Sequence, residues 1–284
     1  MTTTKEAVRD PLDRQRRRAE QRVAKALYTF WAGQRKRLEE LLATQRSDLL
    51  AAQAEQTSGL TAKAAPFAIT LDWAGEEGQL RADMEELLAE VLVEATGSVA
   101  EHYKELGIKL SWEVFDRTAV GLAQKYRYDL IKDITDATRK QLGKTISRWI
   151  AGDQEFDDLV ARVRRLVPSK PYPGLRDRAQ LIAETEVTRI YGDSRMAGRR
   201  AVGLRCSRWR MAQDELVCVK ICRPLGQADG GKGALGHDGK YTNPTDGEQY
   251  EIPGHPGCRC WDVEDPDELF ELVRASQLPH GEAT

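Results

Sequence analysis

Long apolar runs are absent from this chain. No stretch of the 284 residues approaches the ~20 consecutive apolar positions that a membrane-crossing helix requires. A charge excess of either sign is also missing. Lys and Arg number 43 against 45 Asp and Glu, a formal net charge of -2, so global charge points to no acidic or basic partner. Aromatic residues make up only 7% and hydrophobic residues 40%, which suits a helical, extended protein with a modest core better than a compact sheet enzyme. Histidine occurs four times, which leaves few candidates for a general base. Cysteine occurs five times, an odd and clustered set that argues against an exported disulfide framework and for metal binding or free thiols. The opening Met-Thr-Thr-Thr-Lys-Glu lacks the apolar stretch of a signal peptide, so synthesis in the cytosol is expected.

What the chain does have is concentrated near its end. Cys218-Val-Lys-Ile-Cys222 is followed by a Gly-rich stretch and then by Pro253-Gly-His255-Pro-Gly-Cys258-Arg-Cys260-Trp261. Tetrahedral zinc takes thiolate and imidazole ligands, usually as two close pairs joined by a loop. Cys218 and Cys222 supply one pair, and His255 with Cys258 the other. Cys260 is an alternative ligand, because only one of Cys258 and Cys260 is expected to join the site easily. A structural zinc, reduced thiols packed with His255, and a disulfide formed later all remain open. A metal closing a loop of roughly 40 residues would supply the order that a segment poor in large apolar side chains lacks. Cys206 is expected to be a lone buried thiol.

Upstream, the periodicity is helical. The pattern predicts a mainly α chain: elongated helical N-terminal and central regions, then a small α+β Cys/His-rich C-terminal subdomain. Residues 1–56 read as a basic helical arm. Over residues 1–46, twelve Lys and Arg face six Asp and Glu, a local charge of about +6. Arg14, Arg16, Arg17 and Arg18, with Arg35, Lys36 and Arg37, are the candidates for contact with DNA or an acidic partner, the alternative being a solvated helix face. Residues 57–80 read as a hinge, with a short strand over Phe67–Leu71. Helices are expected over 81–203, one stopping at Gly107. Residues 204–265 form the Cys/His-rich part, in which 223–254 is too long for an ordinary connection and reads as a functional or disordered loop. An acidic mobile tail over 266–284 closes the chain.

The segment Arg178-Ala-Gln-Leu-Ile-Ala-Glu-Thr-Glu-Val-Thr-Arg189 resembles the R-A-x-x-I-A-x-T-E-x-x-R helix of the phage Mu F-like head morphogenesis family. The same order follows with Trp209, Asp214-Glu-x-Val-Cys218, a second Cys, Leu225-Gly226, a variable loop and Pro253-x-His-Pro-x-Cys-Arg-Cys260. The resemblance covers roughly residues 110–265. The chain departs from the family in having three rather than two residues between Cys218 and Cys222. The resemblance implies a non-enzymatic minor head protein of a tailed phage or prophage, in several copies per head. Such proteins act in procapsid assembly and DNA packaging or ejection. Portal, major capsid or scaffold proteins, and double-stranded DNA, are the partners it implies. It places the protein first in the host cytoplasm and then inside the virion.

Arg178, Thr185, Glu186, Arg189, Trp209 and Asp214 are the motif residues for which a structural role is expected. Glu186 and Arg189 in particular are expected to turn inward and bond the backbone of the Cys-rich segment. The competing reading is a zinc-braced HNH-like nuclease or toxin-type enzyme in which His237 or His255 activates water. Asp214, Glu215, Asp229, His237 and Asp238 could in principle form an acidic metal site, but Gly, Asp and Asn are equally the residues of turns.

Overall fold

A computed structural model describes residues 12–58, 71–111, 115, 134–152, 154–167 and 178–277. The chain is mainly α, with one small antiparallel sheet near its C-terminal end. Helix α1 spans Asp13–Thr44, α2 Arg46–Thr57 and α3 Trp73–Glu105. Helix α4 covers residues 134–150. Helix α5 spans Phe156–Leu166 and α6 Arg178–Val202. Among the described residues no helix is long and apolar enough to cross a membrane. Two compact units divide the chain: Lys25–Leu87 with Tyr126–Ala179, and Met1–Ala24 with Leu88–Lys125 and Gln180–Thr284.

The first of these is all helical where described. Its buried side chains include Trp31, Leu38, Leu42, Leu49, Leu80, Trp149 and Leu159, the apolar stripes that the periodicity marks. Helix α3 begins eight residues before the expected position 81. Asp72 explains the early start, because its carboxylate accepts the Gly75 N–H at 2.9 Å as an N-cap. One turn on, Glu76 is buried and accepts from Gln34 Nε2 at 3.0 Å and Arg37 Nη2 at 2.8 Å. The expected hinge over 57–80 is therefore helical from Trp73; its strand over Phe67–Leu71 lies, but for residue 71, outside the described residues. Arg178 fastens α4. It donates to Thr138 Oγ1 at 2.8 Å and Ile134 O at 2.9 Å, and its guanidinium lies 5.2 Å from the Trp31 ring centre.

In the other unit, α3 and α6 both end on a glycine in the left-handed region. Gly107 has φ 72° and Gly203 φ 87°. In each case the following amide reaches back five residues, Ile108 N–H to Tyr103 O and Leu204 N–H to Arg199 O, both at 2.9 Å. This is the Schellman closure, and it needs glycine because a Cβ disfavours that backbone conformation.

Beyond Gly203 lie β1 (Cys206–Arg210), α7 (Cys222–Gly231), β2 (Leu235–His237), β3 (Lys240–Thr242), β4 (Gln249–Tyr250), β5 (Trp261–Glu264) and α8 (Pro266–Gln277). The strands form one sheet in the order β4-β3-β2-β1-β5, every pair antiparallel. The Gly- and Asp-rich segment 223–254 is thus not a loop. It is a helix followed by two short hairpins, and its turn residues occupy the turns: Asp229, Asp238, Gly239 and Gly247 all have positive φ.

Register decides what the sheet buries. Ser207 pairs with Gly236 and Glu264, and Trp209 with Asp262, so these side chains share one face with Tyr241. A Cβ on Gly236 would sit 2.5 Å from the Tyr241 ring, so the absence of a side chain there lets Tyr241 lie across the sheet. Tyr241 OH donates to Asp262 Oδ2 at 2.7 Å and accepts from Ser207 Oγ at 2.6 Å. Asp262 also pairs with the buried guanidinium of Arg199 on α6. Tyr103 OH on α3 donates to Glu264 Oε1 at 2.7 Å. Burial pushes the Glu264 carboxyl up, but His102 at 3.7 Å and the bond from Tyr103 hold it down at about 2.

The acidic tail expected from 266 starts instead as an ordered helix. Asp265 caps α8 through the Asp267 N–H at 3.1 Å, and Pro266 fills its first position. Glu268 accepts the Arg205 and Cys206 N–H groups, the latter at 2.7 Å, which ties α8 to β1.

Candidate metal centre

Trp209 is fully buried and packs edge-on against Tyr241 with ring centres 5.2 Å apart. Around it gather Leu225, Ala234, Ile252 and three of the five cysteines, Cys222, Cys258 and Cys260. Cys222 is the first residue of α7. The other ligand atoms arrive on a tight turn. In His255-Pro256-Gly257-Cys258 the Cys258 N–H donates to His255 O at 3.1 Å, and Gly257 has φ 71°. This is a type II turn, with proline fixing the second position and glycine accepting the left-handed third. The turn places His255 Nε2 at 3.1 Å and Cys258 Sγ at 3.7 Å from Cys222 Sγ.

Cys222, His255 and Cys258 offer ligand atoms that all lie within 4.8 Å of one another. The sulfur separation is close to the edge of a tetrahedron built on Zn–S bonds of about 2.3 Å. His255 is also prepared as a ligand. Its Nδ1 donates to Pro256 O at 2.8 Å, which fixes the tautomer and leaves the Nε2 lone pair facing Cys222.

Cys260 is buried in the same core as Cys222 and Cys258. Of Cys258 and Cys260, only Cys258 offers a sulfur within 4.8 Å of the Cys222 and His255 ligand atoms, as expected. Arg259 between them points elsewhere and pairs with Asp214 Oδ1 at 2.6 Å.

Cys218 is a correction. It packs at the margin of the core but is not among the three grouped ligands. Its carbonyl accepts the Arg223 N–H at 2.9 Å in the turn leading into α7.

The Cys222 thiol beside Cys258 holds it well below the usual thiol range, while bonding to Cys258 pushes Cys222 up. Cys222, His255 and Cys258, with Cys260 in the same core, form a set that fits a soft divalent ion held as thiolate.

The motif residues converge on this cluster. Thr185 on α6 is buried, and its Oγ1 accepts the Gly257 N–H of the turn at 2.7 Å. Glu186, expected to bond the Cys-rich backbone, pairs with Arg189 of its own helix at 3.3 Å. Burial and the charge of Asp193 push the buried Glu186 carboxyl up to about 7 in spite of that pair. A carboxyl raised above its unfolded value favours folding while it stays protonated. That contribution is full below about pH 4.5 and is lost as pH rises through about 7, up to about 3 kcal/mol. Glu186→Gln is therefore expected to match the wild type at pH 5 and exceed it by about 2 kcal/mol at pH 8 in urea unfolding. An equal difference at both pH values would contradict the assignment.

Asp214 caps its own turn through the Leu216 N–H at 3.0 Å as well as holding Arg259. Asp229 holds Arg208 at 2.7 Å, and Asp229 and Asp238 sit at turn positions with positive φ, so the acidic residues of this region act in turns and ion pairs. Cys206 is neither buried nor alone. It is half-buried with its sulfur 3.3 Å from His237 Nδ1, and burial together with Glu268 and Asp265 pushes its thiol up.

The basic residues of α1 divide. Arg16 is buried and held by Asp13 at 2.9 Å, Glu20 at 3.1 Å and Thr188 at 3.2 Å, so it is a structural pin and not a surface contact. Arg37 is held by Glu76, Arg17 by Asp13, Arg35 by Glu39 at 3.7 Å and Lys36 by Glu40 at 4.0 Å. Arg14 and Arg18 are exposed. Compared with protein-family models, with curated proteins and with solved structures, the chain matches none.

Proposed function

We propose that the chain is a zinc-braced, non-enzymatic minor head protein of a tailed phage or prophage, acting in procapsid assembly and DNA packaging or ejection. The observation that carries this reading is the convergence of the separate motif pieces. The Thr-Glu helix meets the His-Pro-Gly-Cys turn through Thr185 and Gly257. The Asp-Glu-x-Val-Cys segment meets the Cys-Arg-Cys segment through Asp214 and Arg259. Segments far apart in sequence are thus mutually bonded around one cluster, as a motif shared for structural reasons requires.

Zinc is the metal this donor set favours: three sulfurs and one imidazole nitrogen suit tetrahedral coordination without redox chemistry. Cys222, Cys258, Cys260 and His255 would hold it. With Cys260 as the fourth ligand the site would be closed, with no position for water, which supports a brace over a hydrolytic centre. The partners in this reading are the portal and the capsid or scaffold proteins. DNA contact falls to Arg14, Arg17 and Arg18, with Arg16 withdrawn from that set. The protein would work first in the host cytoplasm and then in the capsid interior.

The test is mass spectrometry of purified particles made by the phage or prophage that encodes the chain, with and without an in-frame deletion of its gene. The protein is expected in wild-type heads, and the deletion is expected to cut the yield of DNA-filled heads at least tenfold. Particles that lack it and fill normally without it would overturn the proposal, as would metal-dependent plasmid nicking by the pure protein.

A further inference from the structure

Thr185 occupies a position that packing alone does not explain. Its hydroxyl donates to Leu181 O at 2.6 Å within α6 and accepts the Gly257 N–H at 2.7 Å. The first bond fixes the hydroxyl proton, so the lone pair must face the turn. Gly257 lies between the turn's two ligand residues, His255 on one side and Cys258 next to it. Its N–H is taken by Thr185, and that bond is buried. An aliphatic side chain of the same shape would strand that amide without a partner.

From this arrangement we infer that Thr185 is a positioning residue of the metal centre: it aims His255 and Cys258 at the ion from a helix that supplies no ligand. The inference rests on the zinc reading above and deepens it. Asp214 makes a comparable link to Arg259, the residue between Cys258 and Cys260. That pair is partly exposed, with side chains 20% and 37% accessible, and pairs of that kind contribute little. The buried, charge-neutral bond from Thr185 is the stronger constraint. It also makes metal binding and the seating of α6 one event. The ion holds the turn in the shape that Thr185 accepts, and Thr185 holds the turn in the shape that the ion requires.

The experiment measures zinc affinity by competition with a chromogenic chelator, and the visible spectrum of the cobalt(II)-loaded protein, for wild type, Thr185→Val and Thr185→Ser. Valine keeps the shape and removes the hydroxyl; serine keeps the hydroxyl. Thr185→Val is expected to bind zinc about 10- to 100-fold more weakly and to shift the cobalt bands, with Thr185→Ser close to wild type. A merely structural residue would lower the melting temperature of the metal-free and metal-loaded forms equally and leave the affinity unchanged. That outcome overturns the inference and leaves the zinc reading intact. If the wild type binds neither zinc nor cobalt, the zinc reading itself falls, and this inference with it.

Discussion

Protein purified without chelator is expected to carry about one zinc per chain, and its removal to unfold the Cys/His-rich subdomain. The reason lies in what surrounds the ligands. The core here is small: Trp209, Tyr241, Leu225 and Ile252 are its largest members, and it includes three thiols. Without an ion those thiols share protons and leave His255 Nε2 bonded to Cys222 alone, a weak substitute for four metal bonds. Isolated zinc modules draw about 10–16 kcal/mol from their ion at neutral pH, while whole domains have net stabilities of about 5–15 kcal/mol. A loss on the order of 5 kcal/mol is therefore enough to melt this part.

Elemental analysis gives the stoichiometry. Near-ultraviolet circular dichroism of Trp209 and Trp261 before and after chelation gives the unfolding. Cys222→Ser and Cys258→Ser should contain no zinc. Cys218→Ser should keep about one, because that sulfur stands outside the grouped ligands. Equal loss of zinc from Cys218→Ser and Cys222→Ser would restore the Cys218–Cys222 knuckle that spacing suggests and refute the geometry described above.

The helices were legible in the sequence because an amphipathic stripe needs only local information. Trp31, Leu38, Leu42 and Leu49 recur at helical spacing and are buried in one unit, and glycines stop α3 and α6 where a left-handed residue is required. Where a helix begins was less legible. The cap at Asp72 and the burial of Glu76 depend on Gln34 and Arg37, some forty residues earlier in the chain. The sheet was hidden for another reason. Its strands are two to five residues long, too short for alternation to register, and Gly and Asp mark turns without saying whether strands lie between them.

The site was legible in type but not in membership. Clustered Cys and His announce a ligand set, yet choosing among five candidates requires the turn that brings His255 and Cys258 to Cys222. Charge misled in the same way. A run such as Arg16-Arg17-Arg18 looks uniform in sequence, but the helix turns each residue about 100° from the last. That rotation buries Arg16 against Asp13, Glu20 and Thr188 and leaves Arg18 at the surface.

The largest loss from a single substitution away from the ligands is expected at Asp262. Arg199 and Asp262 are both almost fully buried, and neither had any signal in the sequence, since they lie sixty-three positions apart on a helix and a strand. Their pairing is incomplete. Arg199 Nη1 and Asp262 Oδ1 have no hydrogen-bond partner among the described residues. A buried pair of this kind repays little beyond its own desolvation, but breaking it strands a charge. Burial works against the Arg199 charge, and Asp262 and Tyr241 hold it in place, so removing the carboxylate leaves a cation that cannot shed its proton.

Asp262→Ala is accordingly expected to cost about 3–5 kcal/mol in urea unfolding of the zinc-loaded protein. The double variant Arg199→Met, Asp262→Leu should lose less than Asp262→Ala alone, because the second change removes the stranded charge and fills the space with apolar volume. A loss under about 0.5 kcal/mol for Asp262→Ala would place this carboxylate among surface pairs and contradict its burial. An additive double variant would show that Arg199 owes its position to other partners.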